Sequence, residues 1–494
     1  MKTEIAGKPI HAASLWIGSL VIAFAADLLF YGKTLGVSYL LFVLALYVFF
    51  LWQAKSRGSL GQFRSKTGAW LLTVPVLLLA STFVLFSNPL FPLLNVLLVP
   101  FLFMLQTLLL TDHLPKRSHP LEWIGGVFGF VCARALPNIR LPFRFAKDWF
   151  SANMDRRGIA KKIGTGLLVS LPILIVVIPL LAKADSVFAH LFNELPRRLF
   201  ELQGVDVIFR MLLIFLFAIG VFAYFYALWN GRKETAEEPK AAEPTEKAAW
   251  DGIVLVTVLL VINIVYASFT YIQISYLFTG ERAVLPAGMT YAEYARSGFG
   301  ELVCVALINF AIMLSAMWYA SREKQGLYRT VQLLLSLLTV CTCFLLVSAY
   351  YRLSLYEAAY GYTYIRFLAH AFMIVLFVML LVALLSIWRE RFPLVKSCLL
   401  IGFVAYIAVQ YVNMDALIAT KNIARYYATG QIDVEYLSRL SYDAVPAIMQ
   451  LARDEQMRDA VADLLQTKKE ELAKQRSWQS FNLSRYWAAR HLSP

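Results

Sequence analysis

The sequence predicts an all-α integral membrane protein: about eleven membrane-crossing helices followed by a polar, helical C-terminal tail. Three observations predict it. Long apolar runs recur along the chain. Of its 494 residues, 59% are hydrophobic and 16% charged, where a soluble domain carries roughly 25% charged residues. The cations gather in particular short loops, the pattern that sets membrane orientation.

A span needs about 20 apolar residues to cross about 30 Å of hydrocarbon. Such runs occupy 13–31, 37–53, 69–87, 91–110, 163–182, 207–229, 252–278, 299–319, 330–351, 365–388 and 397–414. Within a bilayer they must be helices, because no water is present to satisfy backbone groups. The first run begins near Leu15 with no small-residue cleavage site after it, so it is expected to stay as a span.

The loops orient these spans. Loop 54–68 holds Lys55, Arg57, Arg64 and Lys66 and no acid. The segment 111–162 holds ten cations, among them Arg140, Arg144 and Lys147 near helical spacing. Loops 320–329 and 389–396 add Arg322, Lys324, Arg329, Arg389, Arg391 and Lys396. All four fall on the side of the N-terminus, which is therefore expected in the cytoplasm. Loops 32–36 and 88–90 are short and nearly uncharged, as the other side requires.

Composition divides the chain further. Residues 1–110 hold four spans. Residues 111–162 form a basic cytoplasmic segment, with 121–136 as an interfacial or re-entrant helix, and 163–229 hold two spans. Residues 230–250 are a flexible polar linker of Glu, Lys, Ala and Pro. Residues 251–414 form a five-helix membrane domain, and 415–494 the tail, extracytoplasmic by span parity. In the tail, Asp433 is placed to cap the helix that follows, as is Ser441 or Asp443 with Pro446 in its first turn. The aromatic end, Trp478 to Trp487, is amphipathic and suits a membrane surface or the preceding helices.

The net charge of +14 sits in topogenic loops, so no nucleic-acid partner is expected. The five cysteines lie in or beside apolar runs and offer no zinc-ligand context. No Walker loop, dinucleotide fingerprint, nucleophile elbow or HExxH motif occurs. Asp112, His113 and His119 match no metal signature, and neither metal nor cofactor is expected.

The unusual chemistry lies in Tyr350–Arg366, with six tyrosines, two arginines and one glutamate in seventeen residues. Span parity puts it on the outer face with Gly280–Gly300 and with Asn413–Asp433. The candidate cleft is Gln273, Glu281, Arg282, Tyr291, Glu293, Tyr294, Arg296, Glu301, Arg352, Tyr356, Glu357, Tyr360, Arg366, His370 and Arg425. Ionisable groups within a span are costly and face a cavity or pair with one another. Arginine's planar fork suits phosphate or carboxylate, so an anionic amphiphile or an envelope protein is the expected partner besides membrane lipid. The alternative is structural: tyrosines line membrane interfaces, and Arg–Glu pairs pin helices. Asp27, deep in the first run, is a proton-relay or hydrogen-bonding candidate with no partner identifiable in the sequence. With His370 and Glu301 it sets out a secondary transporter. Glu293, Glu357 and His370 set out an envelope enzyme on a lipid-linked substrate.

From Gln273–Gly280 through Tyr291–Glu301 and Arg352–Thr363 to Asn413–Ala416 and Tyr436–Ser441, the chain resembles bacterial multi-pass membrane families. They are the domain-of-unknown-function families four-one-seven-three and four-one-five-three. The resemblance covers roughly 250–445. It implies a bacterial inner-membrane protein and supplies no reaction.

Overall fold

A computed structural model describes residues 9–114, 120–144, 204–230, 251–278, 298–319, 325–389, 392–474 and 477–492, with scattered positions between 166 and 188. The described residues form helices and turns with no strand. Among the described residues, ten helices are long and apolar enough to cross a membrane, so the chain is an all-α multi-pass membrane protein. They correspond to ten of the expected runs. The eleventh, 163–182, lies largely outside the described residues.

The chain forms two compact units. One comprises 1–85, 92–236 and 475–483; the other comprises 86–91, 237–474 and 484–494.

In the first unit, α1 (Pro9–Phe30) packs on α2 (Val37–Ser56). Two short helices, α3 (Leu60–Arg64) and α4 (Thr67–Trp70), lead into α5 (Thr73–Leu85) and α6 (Pro92–Leu110). The 121–136 segment is α7 (Pro120–Phe130) running into a π turn and a 3-10 turn. Next comes α8 (Gly204–Asn230), packed along α1. Here Asp27 finds its partner: Arg210 of α8 grips it with Nε at 3.1 Å from Oδ1 and Nη2 on Oδ2. Tyr31 stacks on the guanidinium at 4.7 Å. A bidentate Arg–carboxylate pair satisfies both charges where hydrocarbon would not. At the other end of these helices Lys66 binds Asp112 at 2.6 Å.

In the second unit α9 (Gly252–Phe278), α10 (Phe299–Tyr319), α11 (Gln325–Tyr360), α12 (Tyr364–Trp388) and α13 (Leu394–Tyr411) make the membrane bundle. Helix α11 is its axis and packs on α9, α10 and α12. Polar side chains join it to each neighbour, the usual glue between helices in lipid. Asn263 of α9 donates to the Leu334 carbonyl at 3.0 Å, and Ser348 donates to Gln273 at 2.9 Å. Asn309 of α10 donates to Thr342 at 3.0 Å. Gln332 donates to the Ile387 carbonyl of α12 at 2.7 Å.

Helix α11 outruns the expected span, 330–351. At 1.5 Å per residue its 36 residues reach about 54 Å, far beyond the hydrocarbon thickness. Nothing between Tyr351 and Tyr360 breaks a helix, and Gly361 is the first residue that does. The tail continues as α14 (Met414–Thr429), α15 (Val434–Arg439), α16 (Val445–Leu451), α17 (Arg458–Lys474) and α18 (Leu483–Leu492). The first four bury Ile418, Ile423, Leu437, Ile448 and Val461 in one core that reaches Phe91, Tyr364 and Phe367. Asp433 caps α15 through the Tyr436 N–H at 2.8 Å, and Ser441 accepts from the Asp443 N–H. Helix α17 starts four residues after Asp454, whose side chain turns back onto the Gln456 N–H at 3.0 Å.

Candidate functional site

The candidate site is the tight turn between α11 and α12. Gly361 makes it possible: its φ is +85°, which a side chain resists. A Cβ there would also meet Asn422 Oδ1 at 2.7 Å.

The tail holds this turn from outside. Asn422 of α14 accepts from the Tyr362 N–H at 2.8 Å and donates to its carbonyl at 2.9 Å. Arg425 donates to the Ala358 and Ala359 carbonyls at the end of α11 and to Gln431. A cation at a helix C-terminus completes unpaired carbonyls and meets the negative end of the dipole. The Tyr436 hydroxyl accepts from the Tyr364 N–H at 3.0 Å, and the Tyr364 hydroxyl donates to Asp415.

Asp415 is 1% exposed. It also accepts from the Ser441 N–H at 2.8 Å and from Asn88 Nδ2 at 2.7 Å. Asp443 likewise accepts from the Ser87 N–H at 2.8 Å and from the Ser87 and Ser441 hydroxyls. Every donor these carboxylates need is built in, so burying the charge is compensated. A small cavity of about 10 Å³ borders both, with Asn88, Asn413 and Gln410.

Beneath the turn lies an acid–base pair. Glu357 is 5% exposed, and its Oε2 is 3.0 Å from His370 Nε2. Tyr350 stands edge-on to the imidazole, ring centres 4.2 Å apart. His370 Nδ1 is buried with no partner among the described residues. Burial and the nearby Glu357 carboxylate push the Tyr362 phenol up.

Above it, the Arg366 guanidinium lies 4.3 Å from the centre of the Tyr356 ring and gives one N–H to the Gly361 carbonyl. Tyr360 packs on Tyr356 at 4.9 Å and is itself exposed. Arg352 lies against Gly298, whose φ is +101°; a Cβ there would meet its Nη1 at 2.5 Å.

The turn thus gathers Arg352, Tyr356, Glu357, Tyr360, Arg366, His370 and Arg425. Gln273 stands apart, on Ser348. Glu301 is exposed in the first turn of α10. Glu281, Arg282, Tyr291, Glu293, Tyr294 and Arg296 lie outside the described residues. Sequence reasoning left Asn422, Tyr364, Tyr436, Asp415 and Tyr350 off the site. Their signal was present only as recurrent polar and aromatic residues, Tyr350 and Tyr364 within Tyr350–Arg366 and the others within Asn413–Ser441. No group of metal-ligating side chains occurs among the described residues. His113 is occupied by Thr111 at 2.8 Å, and His119 is outside the described residues.

A family model described as a domain of unknown function, DUF4153, matches residues 73–451. The chain belongs to the DUF4153 family. The match takes in the α11–α12 turn, Asn422 and Arg425, Asp415 and Asp443. No curated protein and no solved structure matches the chain significantly.

Proposed function

We propose that this DUF4153 protein is a non-enzymatic inner-membrane protein of the bacterial envelope that binds an anionic amphiphile at the α11–α12 turn. Two arginines of the turn differ in a way that carries this reading. Arg425 spends its donors on Ala358, Ala359 and Gln431. Arg366 is half-buried, rests its face on Tyr356 and gives one N–H to Gly361. Its other N–H groups have no partner among the described residues. A guanidinium fixed by an aromatic face and one carbonyl, with a donor edge left over, is preorganised for a phosphate or carboxylate.

The outward placement of the turn is supported by contacts within each unit as well as by span parity. In the first unit, 475–483 docks on Leu28, Thr34, Val37 and Phe83, at the helix ends away from Arg57 and Lys66. In the second, the tail docks on Phe91, Tyr362 and Tyr364, away from Arg329 and Arg389 at the opposite ends of α11 and α12. If the basic loops are cytoplasmic, the turn and the tail are outside, and so is the C-terminus; the N-terminus is cytoplasmic.

The test uses full-length protein in detergent with short-chain phosphatidylglycerol or phosphatidylcholine. Phosphatidylglycerol is expected to raise the unfolding temperature of the wild type more than phosphatidylcholine does, and Arg366→Gln to remove that difference. An Arg366→Gln protein stabilised as the wild type is would overturn the reading.

Proton-coupled transport is the second reading, favoured by the buried Glu357–His370 pair. It predicts solute-dependent proton flux in proteoliposomes that Glu357→Gln abolishes.

A further inference from the structure

Helix α18 (Leu483–Leu492) is short and mostly polar, yet it carries Tyr486 and Trp487 at 49% and 46% exposure. Its buried side is Ser484 and Ala488, one turn apart, with the Arg485 guanidinium 5.7 Å from the Tyr442 ring. At 100° per residue, Tyr486, Arg490 and Trp487 fall within one arc of about 100° on the exposed side, outside the Ser484–Ala488 stripe. They form one cluster: the two rings are 5.6 Å apart, and Arg490 lies 5.7 Å from the Trp487 ring. His491 is exposed beside them.

The depth of this face is fixed by what holds the start of the helix. Ser484 Oγ lies 3.0 Å from Ser87 Oγ, and Ser87 follows the span Thr67–Leu85 by two residues. In the first unit, Asn482 donates to the carbonyl of Phe83, in the last turn of that span, at 2.9 Å. The Phe481 carbonyl accepts from the N–H of Val37, the first residue of the second span, at 2.9 Å. The chain therefore enters α18 where hydrocarbon gives way to headgroups. Amphipathic rings concentrate at that level, and a guanidinium beside them matches lipid phosphate.

We infer that α18 is an interfacial anchor whose Tyr486–Trp487–Arg490 face lies among anionic phospholipid headgroups, in the leaflet opposite the basic loops. It is a second lipid contact, separate from the α11–α12 turn. It positions the tail against the bilayer from the C-terminal end, while the turn holds it from within the bundle.

The experiment reconstitutes the full-length protein in vesicles of phosphatidylcholine with or without phosphatidylglycerol, one of the two lipids brominated near the headgroup. Trp487 is one of 11 tryptophans, so its share is the difference between the wild type and Trp487→Phe. Trp487→Tyr serves if the first variant fails to fold. Brominated phosphatidylglycerol is expected to quench the Trp487 share by at least half, and Arg490→Gln to reduce that quenching at least twofold. A Trp487 share quenched by aqueous iodide and not by bromolipid would leave the face in water and overturn the inference. Equal quenching by brominated phosphatidylcholine and phosphatidylglycerol would overturn the assignment to anionic lipid.

Discussion

Among the described residues, two acid–base pairs in the long helices are built differently. Asp27 and Arg210, in the first unit, form a two-pronged ion pair between α1 and α8 with a tyrosine on the guanidinium. Arginine keeps its charge at any ordinary pH, so this pair is a permanent fastening. Glu357 and His370, in the second unit, share a single 3.0 Å contact, and the other imidazole nitrogen has no partner among the described residues. The same residue class, a buried carboxylate, thus makes a two-pronged ion pair with arginine in one unit and a single contact to an imidazole in the other.

The contrast can be broken by substitution. The largest effect is expected at the permanent pair. Asp27→Ala leaves a guanidinium without its counter-charge. Removing one partner of a buried pair costs about 3–5 kcal/mol, and Arg210 keeps 36% of its side-chain surface, which favours the lower end. Thermal unfolding in detergent should fall by several degrees, and the double variant Asp27→Asn with Arg210→Gln should recover most of it. A double variant as unstable as Asp27→Ala would show that the pair is not an isolated fastening.

Next is the clamp on the turn. Asn422→Ala removes both hydrogen bonds to the Tyr362 backbone and should cost about 2 kcal/mol, at roughly 1 kcal/mol each. Gly361→Ala adds the penalty of a side chain at positive φ, about 1 kcal/mol or more, and a close approach to Asn422 Oδ1. Because the side chain and the glycine share one contact, their effects should be non-additive in a double-mutant cycle. Additive losses would separate the two.

Glu357→Gln should cost less than either, about 1 kcal/mol. The amide still reaches His370, so the contrast with Asp27→Ala measures how much of each pair is charge. The smallest effect concerns the tail. Burial and Glu471 push the Tyr442 phenol up to about 12. A raised folded-state value means that the stabilisation is complete below pH 10 and is lost as pH rises toward 12. Tail unfolding followed by circular dichroism should weaken over that window in the wild type and lose this component in Tyr442→Phe.

The sequence made some of this legible and hid the rest for physical reasons. Lipid demands an unbroken apolar run, so each span announces itself locally. Helix caps are local too, which is why Asp433 could be read directly. Arg210 could not be matched to Asp27, because 183 residues separate them and many cations were equally eligible. Arg425 looked like a ligand group because its type suits phosphate. Only its placement at the end of α11, with donors already spent, shows what it holds. The surroundings of Asp415 and Asp443 were hidden in the same way, because most of their donors, from Asn88, Ser87, Tyr364 and Ser441, are far away in the chain and only the fold brings them together. The length of α11 past Tyr351 was readable from the absence of a breaker before Gly361. The apolar criterion that finds spans has no means to report it.

The turn, its clamp and the tail belong to one end of the second unit, and the binding proposal requires that end to face outward. Fusing alkaline phosphatase, which folds only in an oxidising compartment, after Pro494 and separately within 231–249 tests this most directly. Activity at the C-terminus and none at the internal site is the predicted result; activity only at the internal site would contradict the account.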